Sequence, residues 1–236
     1  MTPGRLFLIP TWLSEDIDAA ATVPAATLAR LRTLRRFVVE DAKTARRFLA
    51  ASGHPLPMRD IAMAELSEHT PRDAVPGLLQ PLLAGEDVGL MSEAGAPGVA
   101  DPGAALVAAA HARGITVVPM VGPSAILLAL MASGLEGQRF RFVGYLPQDP
   151  AARRQALLDL ERVSARERET QVFIETPYRN EVVLADLIAA CRPATRLAIA
   201  ADLTGPSEWI RSAPIADWKA KPTPVGRRPA LFLLLA

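Results

Sequence analysis

Five carboxylates stand at the downstream ends of apolar runs: Glu40 and Asp41 behind RFVV, Glu93 behind VGLM, Glu175 behind QVFI, and Asp202 behind LAIAA. An acid at the carboxyl end of a strand can hold a cationic or hydroxylated ligand through charge and hydrogen bonds. It can equally meet the positive end of the helix that follows. Glu93 differs from the rest in its setting, SEAGAPGVADPG at 92–103. Small residues let a backbone approach a ligand closely. A strand that ends in such a loop leaves amide groups at the carboxyl edge of a sheet, where open α/β sheets bind their ligands. Asp101-Pro102 then reads as an N-cap followed by proline at the first helical position.

Other familiar chemistry is missing from the chain. No G-x-G-x-x-G follows the first strand and no Walker A loop occurs, which excludes the common dinucleotide and P-loop patterns. Ser92 and Ser124 do not sit in a G-x-S-x-G elbow. His54, His69 and His111 lack the spacing of a metal set. His69 with Glu65 and Glu68 is the one grouping that could take a cation, and a solvated loop explains it more simply. Arg30, Arg32, Arg35, Arg36, Lys43, Arg46 and Arg47 cluster in sequence, with Arg153-Arg154 and Arg227-Arg228 further on. They read as solvated helix faces or as a phosphate-tracking surface, without interleaved aromatic residues.

The elements that must position these residues alternate. Apolar runs at 5–10, 36–40, 61–66, 88–91 and 115–119 predict strands. Helical patterns fall between them at 19–35, 42–52, 73–83 and 104–113. This β-α-β order predicts a parallel sheet covered on both faces. A helix over 124–133 follows, and then the pattern changes. Strands at 140–145, 171–175, 197–202, 208–211 and 230–235, with helices at 151–164 and up to Ala190, predict a mixed sheet with antiparallel members. The change near 118–123 divides the chain into an expected 1–119 domain and a 120–236 domain.

Composition bounds the rest. The chain has 236 residues, half of them hydrophobic, so a sizeable core is available. A net charge of +1 gives no global electrostatic pull on nucleic acid. The single cysteine, Cys191, excludes a disulfide framework. The amino end lacks a signal-peptide pattern and the apolar runs are too short to span a bilayer, so a soluble cytoplasmic protein is expected.

Five segments carry a resemblance: FVVEDAKTARRFLAASG at 37–53, VGLMSEAGAPGVADPG at 88–103, GITVVPMVGPSAILLALMASGL at 114–135, FVGYLP at 142–147 and VFIETPYR at 172–179. In this order they resemble the tetrapyrrole methylase superfamily, most nearly its ribosomal RNA small subunit methyltransferase I branch, which methylates a cytidine ribose 2′-hydroxyl. The branch commonly has Pro-x-Gly-Asn where this chain has Pro10-Thr11-Trp12-Leu13, an aspartate in place of Glu93, and Ala-Pro-His-Arg in place of Thr176-Pro177-Tyr178-Arg179. The resemblance implies two α/β domains with S-adenosylmethionine in a cleft between them, and a homodimer. It implies cofactor contacts at Pro10, Glu93, Ala94, Gly95, Val99, Ser124, Ala125, Thr176, Ala200 and Ala230. It places Glu40 and Arg179 toward the acceptor, Glu40 as a base for the hydroxyl proton and Arg179 as an anion clamp. No metal is expected. The acceptor is ribosomal RNA or, alternatively, a tetrapyrrole-like or other metabolite; a cofactor-binding protein without turnover is the remaining alternative.

Overall fold

A computed structural model of the chain describes residues 2–67 and 69–236. The chain divides into two compact units, Met1–Ser124 and Ala125–Ala236, so the division falls just after the stretch where the sequence pattern changes.

The first unit is built on five strands: β1 (Leu6–Leu8), β2 (Arg36–Val39), β3 (Ala62–Glu65), β4 (Val88–Met91) and β5 (Val117–Pro119). Their order is β3-β2-β4-β1-β5, and every pairing is parallel. Side chains alternate between two cores. Phe7, Phe37, Val39 and Met91 face one apolar cluster. It is completed by α1 (Ala19–Thr22), α2 (Ala25–Leu31) and α3 (Ala42–Ala51), through Ala19, Leu28, Leu31, Phe48 and Leu49. Leu6, Val38, Val88 and Leu90 face the other. There they meet α4 (Val75–Leu78), α5 (Gln80–Leu83) and α6 (Ala104–Ala112). Gly89 of β4 lies where a Cβ would stand 2.6 Å from the Phe37 ring, so its lack of a side chain lets that ring pack onto the sheet.

Two long helices expected here are broken. Pro24 divides 19–35 into α1 and α2, because it has no N–H to continue the ladder. Pro76 and Pro81 sit at the starts of α4 and α5 and divide 73–83 in the same way. A third expectation also fails. The N-cap of α6 is Gly103, at φ 131°, and not Asp101, whose side chain makes no cap.

The second unit is a mixed sheet of β6 (Phe140–Tyr145), β7 (Thr170–Glu175), β8 (Arg196–Ala201), β9 (Trp209–Pro214) and β10 (Ala230–Leu235), in the order β6-β7-β10-β8-β9. β6 and β7 are parallel, and the other pairings are antiparallel. Four helices belong to this unit: α7 (Ala125–Ser133), α8 (Pro150–Glu167), α9 (Asn180–Ala190) and α10 (Ile215–Ala220). The six residues of α10 carry too short a period to stand out in sequence, yet Trp218 is fully buried and its indole N–H donates to Leu197 O at 3.0 Å. Phe173 and Phe232 stack at 5.4 Å in the centre of this core. No helix among the described residues is long and apolar enough to cross a membrane.

Candidate functional site

Strand order decides where the first unit can bind a ligand. The connection from β1 to β2 runs through α1 and α2 on one face, and that from β4 to β5 runs through α6 on the other. β1 and β4 are neighbours, so their outgoing loops part to opposite faces. That parting is a topological switch point, and it opens a crevice beyond the carboxyl ends of the two strands. The loop after β1 carries Pro10, and the loop after β4 carries Glu93, Ala94 and Gly95.

The two loops are joined through carbonyls. Thr11 N–H donates to Gly95 O at 2.9 Å, and the Thr11 hydroxyl lies 3.4 Å from Ser92 O and 3.3 Å from Glu93 O. Glu93 and Ala94, between these tied carbonyls, are both exposed. Gly95 has φ 77°, a left-handed value, and is buried. Pro10 is also approached by the loop after β5. A Cβ on Gly122 would stand 2.4 Å from the Pro10 side chain, so only glycine allows this contact. Ser124 ends this unit and Ala125 opens α7 of the next. Val99 is half exposed further along the β4 loop.

Carboxylates gather at the same edge. Glu40, after β2, accepts from Glu93 N–H at 3.1 Å and so ties the end of β2 to the β4 loop. Asp101 lines a cavity of about 410 Å³ together with Leu66, Ser67, Thr70, Val75 and Pro102. Burial pushes its carboxyl up to about 6. The Glu40 charge adds to this, the Ser92 hydroxyl opposes it, and Glu93 contributes in the raising direction. Asp41 serves as an N-cap, accepting from Thr44 N–H and Oγ1, and these bonds hold its carboxyl below the usual range. The grouping of His69 with Glu65 and Glu68 lies partly outside the described residues, at Glu68.

The five acids are divided between two sheets, because Glu175 and Asp202 belong to the second unit. β7 and β8 run the same way on either side of β10, so Glu175, Thr176, Ala200 and Asp202 share one edge of that sheet with Ala230, where β10 begins. Glu175 accepts from Thr176 N–H at 2.8 Å, and its other oxygen pairs with Arg179 Nη2 at 3.1 Å. The same Nη2 donates to Leu146 O and Pro147 O, at 3.2 and 2.8 Å. Arg179 thus fastens the loop after β6 to the start of α9.

Most of the basic run in the first unit is engaged locally. Arg32 donates to Ser52 O, Arg36 pairs with Glu86, Arg47 with Glu15, and Arg30 covers the Phe7 ring at 4.6 Å. Arg153 forms a buried pair with Asp186 at 2.7 Å. What sequence reasoning missed is a contact between distant residues: Arg227 lies over the Tyr178 ring at 5.3 Å. The two are far apart in the chain, so no local pattern could reveal them.

The family model for Tetrapyrrole (Corrin/Porphyrin) Methylases matches residues 17–218. The chain belongs to this family. A relative in Pseudomonas aeruginosa named ribosomal RNA small subunit methyltransferase I is 36% identical over 225 residues, covering 93% of this chain and 74% of the relative. One of the same name in Xylella fastidiosa is 35% identical over 215 residues, covering 91% and 74%. Solved structures share the fold at lower identity. The methyltransferase CobJ matches with a TM-score of 0.62 at 20% identity, over 98% of this chain and 93% of that one. A uroporphyrin-III C-methyl transferase from Thermus thermophilus, complexed with S-adenyl homocysteine, matches with a TM-score of 0.57 at 19% identity, over 98% and 97%.

Proposed function

We propose that this chain transfers the methyl group of S-adenosylmethionine to a ribose 2′-hydroxyl of a cytidine in small-subunit ribosomal RNA. The observation that carries this reading is the 36% identity to a protein of that name across 93% of the chain. The first unit supports it with a loop suited to a nucleotide. The β4 loop lies at the switch point, its carbonyls are held by Thr11, and Gly95 and Gly122 let the surrounding loops pack closely against it and against Pro10. Bound S-adenosylmethionine supplies a methyl group already activated by its sulfonium charge. The protein's task is then alignment and care of one proton.

Pro10, Glu93, Ala94, Gly95, Val99 and Ser124 are the first-unit residues assigned to cofactor binding, and Ala125, Thr176, Ala200 and Ala230 the second-unit ones. Small or exposed backbone positions predominate in both sets, which suits hydrogen bonding through peptide groups. Glu40 is assigned as the proton acceptor, because its carboxylate stands beside Glu93 on the same edge. Arg179 is assigned a positioning role, since its Nη2 already bonds to Glu175, Leu146 and Pro147 within its own unit. The protein is assigned to the cytoplasm, where ribosomal subunits are met, and to a homodimer.

The test is transfer of tritiated methyl from S-adenosylmethionine to small ribosomal subunits lacking the modification, with a tetrapyrrole and metabolite extract in parallel. Label in the RNA, mapped to a cytidine ribose, is the expected result. Label in the extract alone, or in neither, rejects the reading.

A further inference from the structure

The carboxyl-end edge of the second sheet carries aromatic and basic side chains drawn from separate parts of the chain. Tyr145 closes β6 and is 60% exposed. Tyr178, in the turn after β7, is 77% exposed. Trp209 opens β9 at the same edge, opposite Ala201. Three arginines accompany them. Arg179 links the turn of Tyr178 to the loop behind Tyr145. Arg227 lies over Tyr178 at 5.3 Å, and Arg228 over Trp209 at 5.5 Å.

This surface is held in place from beneath. Asn180 is fully buried and its Nδ2 donates to Gly226 O at 2.9 Å and Arg228 O at 2.8 Å. Glu181 accepts from Gly226 N–H at 2.7 Å, and Arg228 Nε donates to Val225 O at 2.7 Å. The segment carrying Arg227 is therefore pinned to the first turn of α9, which begins two residues after Tyr178. The acids nearby are engaged too: Glu175 with Arg179, Asp202 with Ser207, Glu181 with Gly226, and Glu208 with Thr204 N–H. Arg227 is exposed, and its contact is the ring.

We propose that Tyr178 and Arg227 form a stacking platform for an unpaired nucleotide of the RNA acceptor, with Tyr145 alongside. The chemistry selects single-stranded RNA. A flat ring exposed to solvent and backed by a guanidinium offers a base a stacking face, and the arginine offers the adjoining phosphate a charge. Methylation of a ribose hydroxyl requires a nucleotide accessible from its sugar edge, and unpaired loop nucleotides are the ones proteins splay out and stack. This inference rests on the ribosomal RNA reading above and assigns its acceptor a surface.

The experiment measures binding of the full chain to a fluorescein-labelled oligocytidylate, with an RNA duplex as competitor and S-adenosylhomocysteine affinity as control. Tyr178→Ala should weaken oligocytidylate binding roughly five- to hundredfold, and Tyr178→Phe should restore it. Arg227→Gln should lower the salt dependence by a slope of about 0.7. S-adenosylhomocysteine affinity should stay unchanged in all three variants. Unchanged oligocytidylate affinity in Tyr178→Ala, or equal competition by the duplex, overturns the platform while leaving the methylation reading intact. A wild-type chain that binds S-adenosylhomocysteine but labels only small molecules overturns the RNA reading itself.

Discussion

Asp101 shows how a single side chain acquires a role that its sequence position hides. Asp-Pro ahead of an apolar helix predicts a cap, yet α6 begins after Gly103, and Asp101 instead lines a cavity and feels the charges of Glu40 and Glu93. Gly95, Gly98, Ala100 and Gly103 all adopt positive φ along this loop, and the cap falls at Gly103, two residues beyond Asp101. An unfolded Asp releases its proton near 3.8, while the folded carboxyl holds it up to about 6. Folding therefore takes up a proton between those values, and this group's contribution to stability falls as pH rises from about 4 to 6. Asp101→Asn should raise the thermal midpoint at pH 7 and flatten its decline across that window. The gain should be on the order of 1 kcal/mol once solvent screening is allowed for. An unchanged midpoint-versus-pH curve in calorimetry contradicts the assignment.

At the scale of elements, the strands and their order of appearance were legible, and the crossings between them were not. VGLM is apolar throughout, and RFVV is apolar after Arg36, because both faces of a parallel strand are covered, so their identity shows locally. Strand order depends on which connection takes which face, and that is settled by packing onto two separate cores. The prolines at 24, 76 and 81 were visible as residues, but the helical period on either side masked the breaks they make. The candidate site shows the same division. The SEAGAP loop is contiguous and could be read, whereas the Tyr178–Arg227 contact and the Asn180 anchor join segments remote in sequence. The anchor carries a prediction of its own. Asn180→Ala removes two hydrogen bonds from a buried position and leaves two carbonyls without them. Urea unfolding should show a loss of about 2–3 kcal/mol. A loss below about 0.5 kcal/mol, within the range of neutral surface changes, contradicts the anchoring role.

Taken whole, the molecule consists of two units with cores of their own, one parallel and one mixed in sheet direction. Its net charge of +1 gives no long-range pull on RNA, so the proposed RNA acceptor would be recognised through local features such as the basic and aromatic edge of the second sheet. The proposed homodimer is tested at this scale as well. Light scattering should return twice the 25.2 kDa chain mass, and a value equal to one chain contradicts it. We propose that the turn around Gly95 holds the methyl donor. Its most direct test is calorimetric titration with S-adenosylhomocysteine of the wild-type chain and of Gly95→Val, which forces a β-branched residue into a left-handed backbone. Saturable heat is expected with the wild type and affinity at least about tenfold weaker in the variant, a loss of roughly 1.4 kcal/mol, with far-ultraviolet dichroism unchanged. No heat from the wild type at millimolar ligand, or equal affinity in the two proteins, would contradict it.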